Sequence, residues 1–445
     1  MALFGTDGVR GKAGEKVNAM AVMRLAMATG IYFKKNAKTN KILVGKDTRI
    51  SGYMVEAAIL AGLTAVGYDV IQIGPFPTPA VAFIATNMRC DGAVMISASH
   101  NPFYDNGIKF FDNKGNKLAK EIENEINEIY QNEDLIQSCQ KTGKSIGRSK
   151  RIDDVIGRYI VHIKNSFPKD LTLQGLRVVI DTANGAGYLV GGTILEELGA
   201  DVVVINDEPN GFNINELCGA MHPEELAKAV REYRADLGIA LDGDADRIVL
   251  VDENGDIVNG DQLMGSLAIH LKKNNMLSSN NFVTTIMSNM ALDDYLAQHG
   301  ITTHRSDVGD KNVAELMQSV GTNFGGEESG HVIFSDYSKT GDGILSGLQA
   351  LAMLVQSGGK ASEIFRPFKL YPQAKCNLNI NNKIPLDEIE GLDELKAKVE
   401  AENMRHLFRY SGTENKIRLL IEGEDTKKMN KLIEEAEGFF KKALA

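Results

Sequence analysis

Short apolar runs alternate along most of the chain with longer stretches whose apolar positions recur every three or four residues. The runs at Lys41–Val44, Val70–Ile73, Ala93–Ile96, Arg177–Ile180, Val202–Ile205, Leu237–Leu241, Ile248–Val251 and Phe282–Ile286 predict strands. Helical spacing predicts helices over Tyr53–Val66, Tyr188–Leu198, Asp261–Leu271 and Ala291–His299. Strand and helix in strict alternation point to doubly wound α/β units with mostly parallel sheets. The last part differs. Asn377–Ile380 and Ile417–Ile421 predict strands, Leu392–Ala401 and Thr426–Leu444 helices, the final helix carrying Met429, Leu432, Ile433, Ala436, Phe439 and Phe440 on one stripe. That is the pattern of a smaller α+β domain with an antiparallel sheet. The polar stretches 137–153 and 358–371 predict linkers.

Composition narrows the function class. The chain has 445 residues, 43% hydrophobic and 24% charged, enough for about three ordinary domains. Its formal net charge of -10 argues against a general nucleic-acid binder, and means that an anionic substrate must meet a local basic patch. Cys90, Cys139, Cys218 and Cys376 are scattered without a C-x-x-C pair, which predicts reduced thiols rather than a zinc site or a disulfide framework. The polar, glycine-rich start lacks a signal peptide's apolar stretch, and the longest apolar region, 57–68, is too short for a membrane span. A cytoplasmic protein without membrane or nucleic-acid partners is expected.

Chemistry concentrates in a few loops. Ser97-Ala98-Ser99-His100-Asn101-Pro102 follows a buried strand, so two hydroxyls and an imidazole sit where open α/β sheets place their chemistry; a polar turn is the competing reading. Asp242-Gly243-Asp244-Ala245-Asp246-Arg247 crowds three carboxylates that repel unless a cation neutralises them, and hard oxygen ligands suit Mg²⁺. An EF-hand is excluded. Arg247 stands where that loop needs glycine, and apolar Ile248–Val251 follows at once. Gly325-Gly326-Glu327-Glu328-Ser329-Gly330-His331 can hydrogen-bond sugar hydroxyls, or be a simple acidic turn. Arg409-Tyr410-Ser411-Gly412-Thr413-Glu414-Asn415-Lys416-Ile417-Arg418 holds the inventory of a phosphate cradle, although not of a Walker A loop; a basic surface turn competes. Gly5-Thr6-Asp7-Gly8-Val9-Arg10-Gly11 presents an arginine flanked by glycines that could reach a cleft, or be part of a flexible terminus. Asp181-Thr182-Ala183-Asn184-Gly185-Ala186-Gly187 imitates a dinucleotide loop, but its next glycine, Gly191, falls one residue late.

The serine, aspartate, glutamate and arginine loops, in this order and over nearly the full length, resemble those of the α-phosphohexomutases. The resemblance implies four domains, here 1–153, 154–255, 256–367 and 368–445, each contributing one loop to the site. It implies a phosphoserine enzyme, with Ser99 modified and Asp242, Asp244 and Asp246 holding one Mg²⁺ per chain together with the serine phosphate. Arg10, His100, Lys109 and Arg247 would surround the transferred group, with Lys109 as general base. Glu327, Ser329, His331 and Lys311 would bind the sugar. Arg409, Ser411, Gly412, Thr413 and Arg418 would grip the second phosphate. Asn415 stands where the family commonly has proline. Phe4–Gly11, the run Phe103–Lys109 and Gly326–His331 look most like the members acting on an amino-sugar phosphate, which feed nucleotide-sugar and cell-wall precursor synthesis; members acting on mannose or glucose phosphates are the alternative. The expected partner is a sugar phosphate, bound by a monomer or homodimer. A non-catalytic sensor would not need the serine, and a phosphatase would release its phosphate to water.

Overall fold

The computed structural model describes residues 3–5, 7–411 and 415–444. The chain packs as two compact units, Met1–Thr285 with His304–Arg366, and Ile286–Thr303 with Pro367–Ala445.

The first sheet of the larger unit contains β1 (Val9–Lys12), β2 (Lys41–Lys46), β3 (Asp69–Pro75), β4 (Gly92–Ile96), β5 (Asp105–Asp112) and β6 (Ser149–Arg151), in the order β1-β5-β4-β2-β3-β6. Ile42, Leu43 and Val44 of β2 are wholly buried, which is why these strands read as unbroken apolar runs. Helices Ala19–Lys34 and Gly52–Ala65 share one core with β2 and β4 through Val22, Leu25, Ile59 and Leu63. Helix Thr78–Asn87 packs on the same strands, where a Cβ at Gly45 would meet Val81 at 2.4 Å. The second sheet joins β7 (Arg177–Asp181), β8 (Asp201–Ile205), β9 (Leu237–Leu241) and β10 (Ile248–Asp252) as β10-β9-β7-β8. The third joins β11 (Asn281–Thr285), β12 (Thr302–Ser306), β13 (Phe324–Gly326) and β14 (Val332–Phe334) as β12-β11-β13-β14.

One arrangement recurs in all three. β4, β9 and β13 each pair in parallel on one side and antiparallel on the other, with β5, β10 and β14 respectively. Each antiparallel partner is the next strand in the chain. The serine, aspartate and glutamate loops are therefore hairpin connections leaving the carboxyl ends of interior strands, the place where such sheets put reactive groups.

The smaller unit has the antiparallel sheet β15 (Gln373–Asn379), β16 (Arg405–Tyr410) and β17 (Lys416–Glu422), ordered β15-β17-β16. Helices Leu392–Glu400 and Thr426–Ala443 cover it through Leu392, Val399, Leu432 and Phe440. Asp425 caps the second of these, accepting from Lys427 N and Lys428 N.

Three expectations are corrected. The stretch 137–153 is not only a linker: Ser149–Arg151 forms β6 on the sheet edge, with all three residues exposed. The stretch 358–371 contains a short helix, Ala361–Ile364. The helix expected from Tyr188 begins at Gly191, the preceding residues 186–190 forming turns. Among the described residues no helix is long and apolar enough to cross a membrane.

Candidate active site

Ser99 stands one turn beyond β4 with φ +51°, a strained value for a residue with a side chain. Gly107 must be glycine for this loop to close, since a Cβ there would meet Ser97 O at 2.5 Å. A buried polar network underlies the loop. Ser97 Oγ accepts from Ser99 N (2.8 Å) and donates to Asp47 (2.7 Å). Asp47 also receives Arg49 Nε at 2.8 Å. The Arg49 guanidinium, itself 1% exposed, donates to the carbonyls of Ser99 (2.8 Å), Asn101 (2.7 Å) and Asp105 (3.1 Å), and to that of Pro102.

The loop between β9 and β10 meets this serine. Ser99 Oγ donates to Asp242 Oδ2 at 2.6 Å. Asp242 Oδ1 accepts from the backbone N–H groups of Asp246 and Arg247, both at 3.1 Å. Asp242, Asp244 and Asp246 are buried, with candidate ligand atoms within 4.8 Å of one another. Burial, and then the neighbouring charges of Asp246 and Asp244, push the Asp242 carboxyl up to about 8. Lys109 Nζ reaches Asp244 Oδ2 at 2.8 Å and Asp246 Oδ2 at 3.1 Å. Oδ1 of each of these aspartates is buried without a hydrogen-bond partner. Crowded carboxylates with buried oxygens that make no hydrogen bond fit a divalent cation with oxygen preference.

Cations ring this cluster. Lys109 is 1% exposed and lies 3.3 Å from Asp7. Burial alone would lower its pKa, but Asp244, Asp246 and Asp7 outweigh it and hold the amine charged. Lys109 stands as a cation that donates to Asp244 and Asp246. Arg10, on β1, pairs with Asp7 at 2.6 Å. Arg247 keeps its charge beside Asp246, Asp242 and Glu327 against the cost of burial. His100 Nδ1 lies 3.4 Å from Ser99 Oγ, and burial together with Arg247 and Arg10 pushes its pKa down to about 4, leaving it neutral near pH 7.

The third loop closes on the same place unevenly. Glu327 is buried and accepts from Gly309 N at 2.9 Å. Ser329 is exposed on the turn, and Gly330 O receives Ile248 N at 3.0 Å, tying the loop to β10. Two residues expected to bind the sugar, His331 and Lys311, make their contacts to neighbouring side chains. His331 is 2% exposed, facing Asp246 at 3.6 Å and Asp310 at 3.3 Å, with Gly341 N donating to its Nε2 at 2.9 Å. Its ring thus lies between Asp246 and Asp310. Lys311 points at Glu123, 4.0 Å away, beside Phe4 and Lys117, instead of at Glu327.

The arginine loop belongs to the smaller unit. Gly412 and Thr413 lie outside the described residues. Arg409 of β16 stands directly opposite Arg418 of β17. Like charges paired across strands are unfavourable, and an anion between them removes the penalty. Ser411 N donates to Lys416 O (2.8 Å), and Lys383 Nζ to Ser411 O (2.9 Å), adding a cation that the sequence reading missed. Arg409→Ala is expected to raise the KM for a phosphorylated substrate by roughly 10- to 100-fold, at about 1.5–3 kcal/mol for a charged hydrogen bond, with a smaller change in kcat; steady-state kinetics check this.

Four family models cover the chain: phosphoglucomutase/phosphomannomutase α/β/α domain I over residues 1–137, domain II over 157–255, domain III over 259–371, and the C-terminal domain over 376–438. The chain belongs to the phosphoglucomutase/phosphomannomutase family. Curated members include proteins named phosphoglucosamine mutase from Sulfurovum sp. strain NBC37-1, 67% identical, and Campylobacter fetus, 64% identical, each aligned over 100% of both chains. The solved structure of a phosphoglucomutase/phosphomannomutase family protein from Burkholderia thailandensis matches with TM-score 0.81 at 22% identity, covering 99% of this chain and 97% of that one. Aspergillus fumigatus N-acetylphosphoglucosamine mutase, solved in complex with GlcNAc-6P and magnesium, matches with TM-score 0.62 at 18% identity, covering 87% of this chain and 94% of that one. At such identities the two structures speak for the fold.

Residues that pack against these loops and that sequence reasoning gave no role are Asp7, Asp47, Arg49, Thr78, Lys117, Asn215 and Asp310. Thr78 donates to Asp244 through both its hydroxyl and its N–H. Lys117 bridges Asp7 and Asp310, each at 2.5 Å. The available signal was position: Asp47-Thr48-Arg49 leaves the carboxyl end of β2, beside β4.

Proposed function

We propose that this chain interconverts glucosamine 6-phosphate and glucosamine 1-phosphate through a phosphorylated Ser99 and a bisphosphorylated sugar. The observation that carries the chemistry is the 2.6 Å contact between a buried serine hydroxyl and one of three clustered aspartates. End-to-end relatives named phosphoglucosamine mutase support the choice of sugar.

In the first half-reaction the phosphoryl group on Ser99 Oγ passes to the sugar's free hydroxyl. The P–Oγ bond breaks, a P–O bond to the sugar forms, and the hydroxyl's proton is balanced by protonation of the released serine oxygen. The bisphosphorylated sugar turns around and returns its other phosphoryl group to Ser99, so the enzyme ends as it began. Such transfer depends mostly on positioning and on neutralising charge on the phosphoryl oxygens. Lys109, Arg10 and Arg247 supply fixed positive charge, and the Arg49 network holds the serine's backbone still. Asp242, Asp244 and Asp246, with the serine phosphate, would hold one Mg²⁺, which when bound supplies a Lewis acid for those oxygens. Glu327 and Ser329 are assigned to the sugar hydroxyls, and Arg409, Ser411, Gly412, Thr413 and Arg418 to the phosphate not being transferred. A cytoplasmic place of action belongs to the same proposal.

Turnover of the purified protein on glucosamine, glucose and mannose 6-phosphates tests the reading. The expected result is isomerised amino sugar, with kcat/KM highest for glucosamine 6-phosphate and no release of inorganic phosphate. A preference for mannose or glucose 6-phosphate would overturn the choice of sugar, and free phosphate without isomerisation would overturn the mutase reading.

A further inference from the structure

The serine and the aspartates come from different sheets, so something must keep them in register. Arg49 fixes the shape of the serine loop, but only from the loop's own sheet. From the side of the aspartate-bearing sheet, the backbone carbonyls of the serine loop are held by the side chain of Asn215. Asn215 Nδ2 donates to Ser99 O at 2.9 Å and to Asn101 O at 3.2 Å, the same two carbonyls that Arg49 Nη2 holds. The amide's orientation follows from those partners, since turning it over would set Oδ1 against two carbonyl oxygens. Its Oδ1 is buried without a partner, so the side chain is held by what Nδ2 does.

The surroundings tie Asn215 to the aspartate loop. Asn215 N donates to Ala183 O at 3.0 Å, and Ala186 N to Gly243 O at 2.8 Å. A Cβ on Gly185 would lie 2.5 Å from Gly243 O, and one on Gly243 2.7 Å from Ser99 O. The segment that imitates a dinucleotide loop is thus a seat for the backbone between Asp242 and Asp244. Thr48 Oγ1 donates to Asn184 O at 2.5 Å, closing the seam from the other side. Left-handed backbone gathers along it, at Ser99 (φ +51°), Ala183 (+56°), Asn184 (+46°), Asn215 (+57°) and Ala245 (+58°). Asparagine tolerates that conformation and brings an amide donor with it, which glycine does not.

We infer that Asn215 is a positioning residue that sets the registration of Ser99 against the aspartate cluster. The inference rests on the proposed passage of the phosphoryl group through Ser99. Misplacement of a reacting group by about an ångström costs up to roughly 100-fold in rate. Arg49 still shapes the loop when Asn215 is lost, so the loop keeps its fold and only its alignment suffers.

Two variants accept left-handed backbone while removing the donor: Asn215→Gly and Asn215→Asp. Both are expected to lower kcat by roughly 10- to 100-fold while KM for the sugar phosphate stays within about twofold, because the distal phosphate grip and the sugar loop are untouched. A loss caused by unfolding alone would instead scale with the unfolded fraction, so kcat is normalised to folded protein from thermal unfolding and to Ser99 phosphate from mass spectrometry. A normalised kcat within about twofold of the parent in both variants, or a change confined to KM, would overturn the inference. Ser99→Ala runs in parallel: if that variant keeps turning over, the phosphoserine reading fails, whereas a dead Ser99→Ala beside active Asn215 variants fails the registration role alone.

Discussion

Ser99→Ala is expected to lose mutase turnover by on the order of 10⁴-fold or more, with its thermal unfolding little changed. The substitution removes one hydroxyl that donates to Asp242, and leaves the Arg49 and Asn215 contacts, which engage the backbone carbonyl of residue 99, in place. The loop therefore keeps its shape while its nucleophile is gone. Phosphate monoesters are inert enough that the site must lower the barrier by about 20 kcal/mol, and charge neutralisation without an acceptor atom cannot carry a group between two sugar oxygens. Turnover within tenfold of the parent would contradict the role given to this serine.

Asp242→Asn separates stability from activity. Asparagine reproduces the shape and can still accept the N–H groups of Asp246 and Arg247 through its oxygen. What disappears is a charge that burial and two neighbouring aspartates already disfavour. In metal-free buffer near pH 7 the variant is expected to unfold close to the parent's temperature, because burial and the neighbouring aspartates already keep Asp242 largely protonated there and asparagine changes the cluster's charge little. Mg²⁺ should raise the unfolding temperature of the parent and leave that of the variant nearly unmoved, since a ligand that binds only the folded state stabilises it. Turnover at saturating Mg²⁺ should drop by on the order of 10³-fold. Equal Mg²⁺-induced shifts in parent and variant would remove the cluster from consideration as a metal site.

What the sequence showed depended on whether a residue's environment could be seen in its neighbours. Strands covered on both faces, such as Ile42–Val44 and Leu237–Leu241, are continuous apolar runs and stood out. β16, Arg-His-Leu-Phe-Arg-Tyr, has only Phe408 buried, and β6 no buried residue at all; edges of that kind carry no periodicity to read. β5 was missed as a strand because it opens with Asp105-Asn106-Gly107, residues used to bring the serine hairpin back against β4. Within the site, the serine and the three aspartates were legible because reactive groups were packed into a few consecutive positions. Arg49 and Asn215 were not, since each serves carbonyls far away in sequence, which no local motif records. The direction of the Lys311 and His331 side chains was equally invisible in the sequence. Both sit next to the right loop in sequence, yet their side chains turn toward Glu123 and toward the back of Asp246.

The central claim is that the phosphoryl group leaving the enzyme is not the one that arrived with the substrate. Glucosamine 6-phosphate carrying ¹⁸O in its non-bridging phosphate oxygens, given to phosphorylated enzyme for a single turnover, tests it through mass spectrometry of the Ser99 peptide. The heavy phosphoryl group is predicted to appear on Ser99 while the first glucosamine 1-phosphate formed carries a light one. Conversion of the sugar with all of the heavy label still on the product, and a light or unphosphorylated Ser99 peptide, would contradict it.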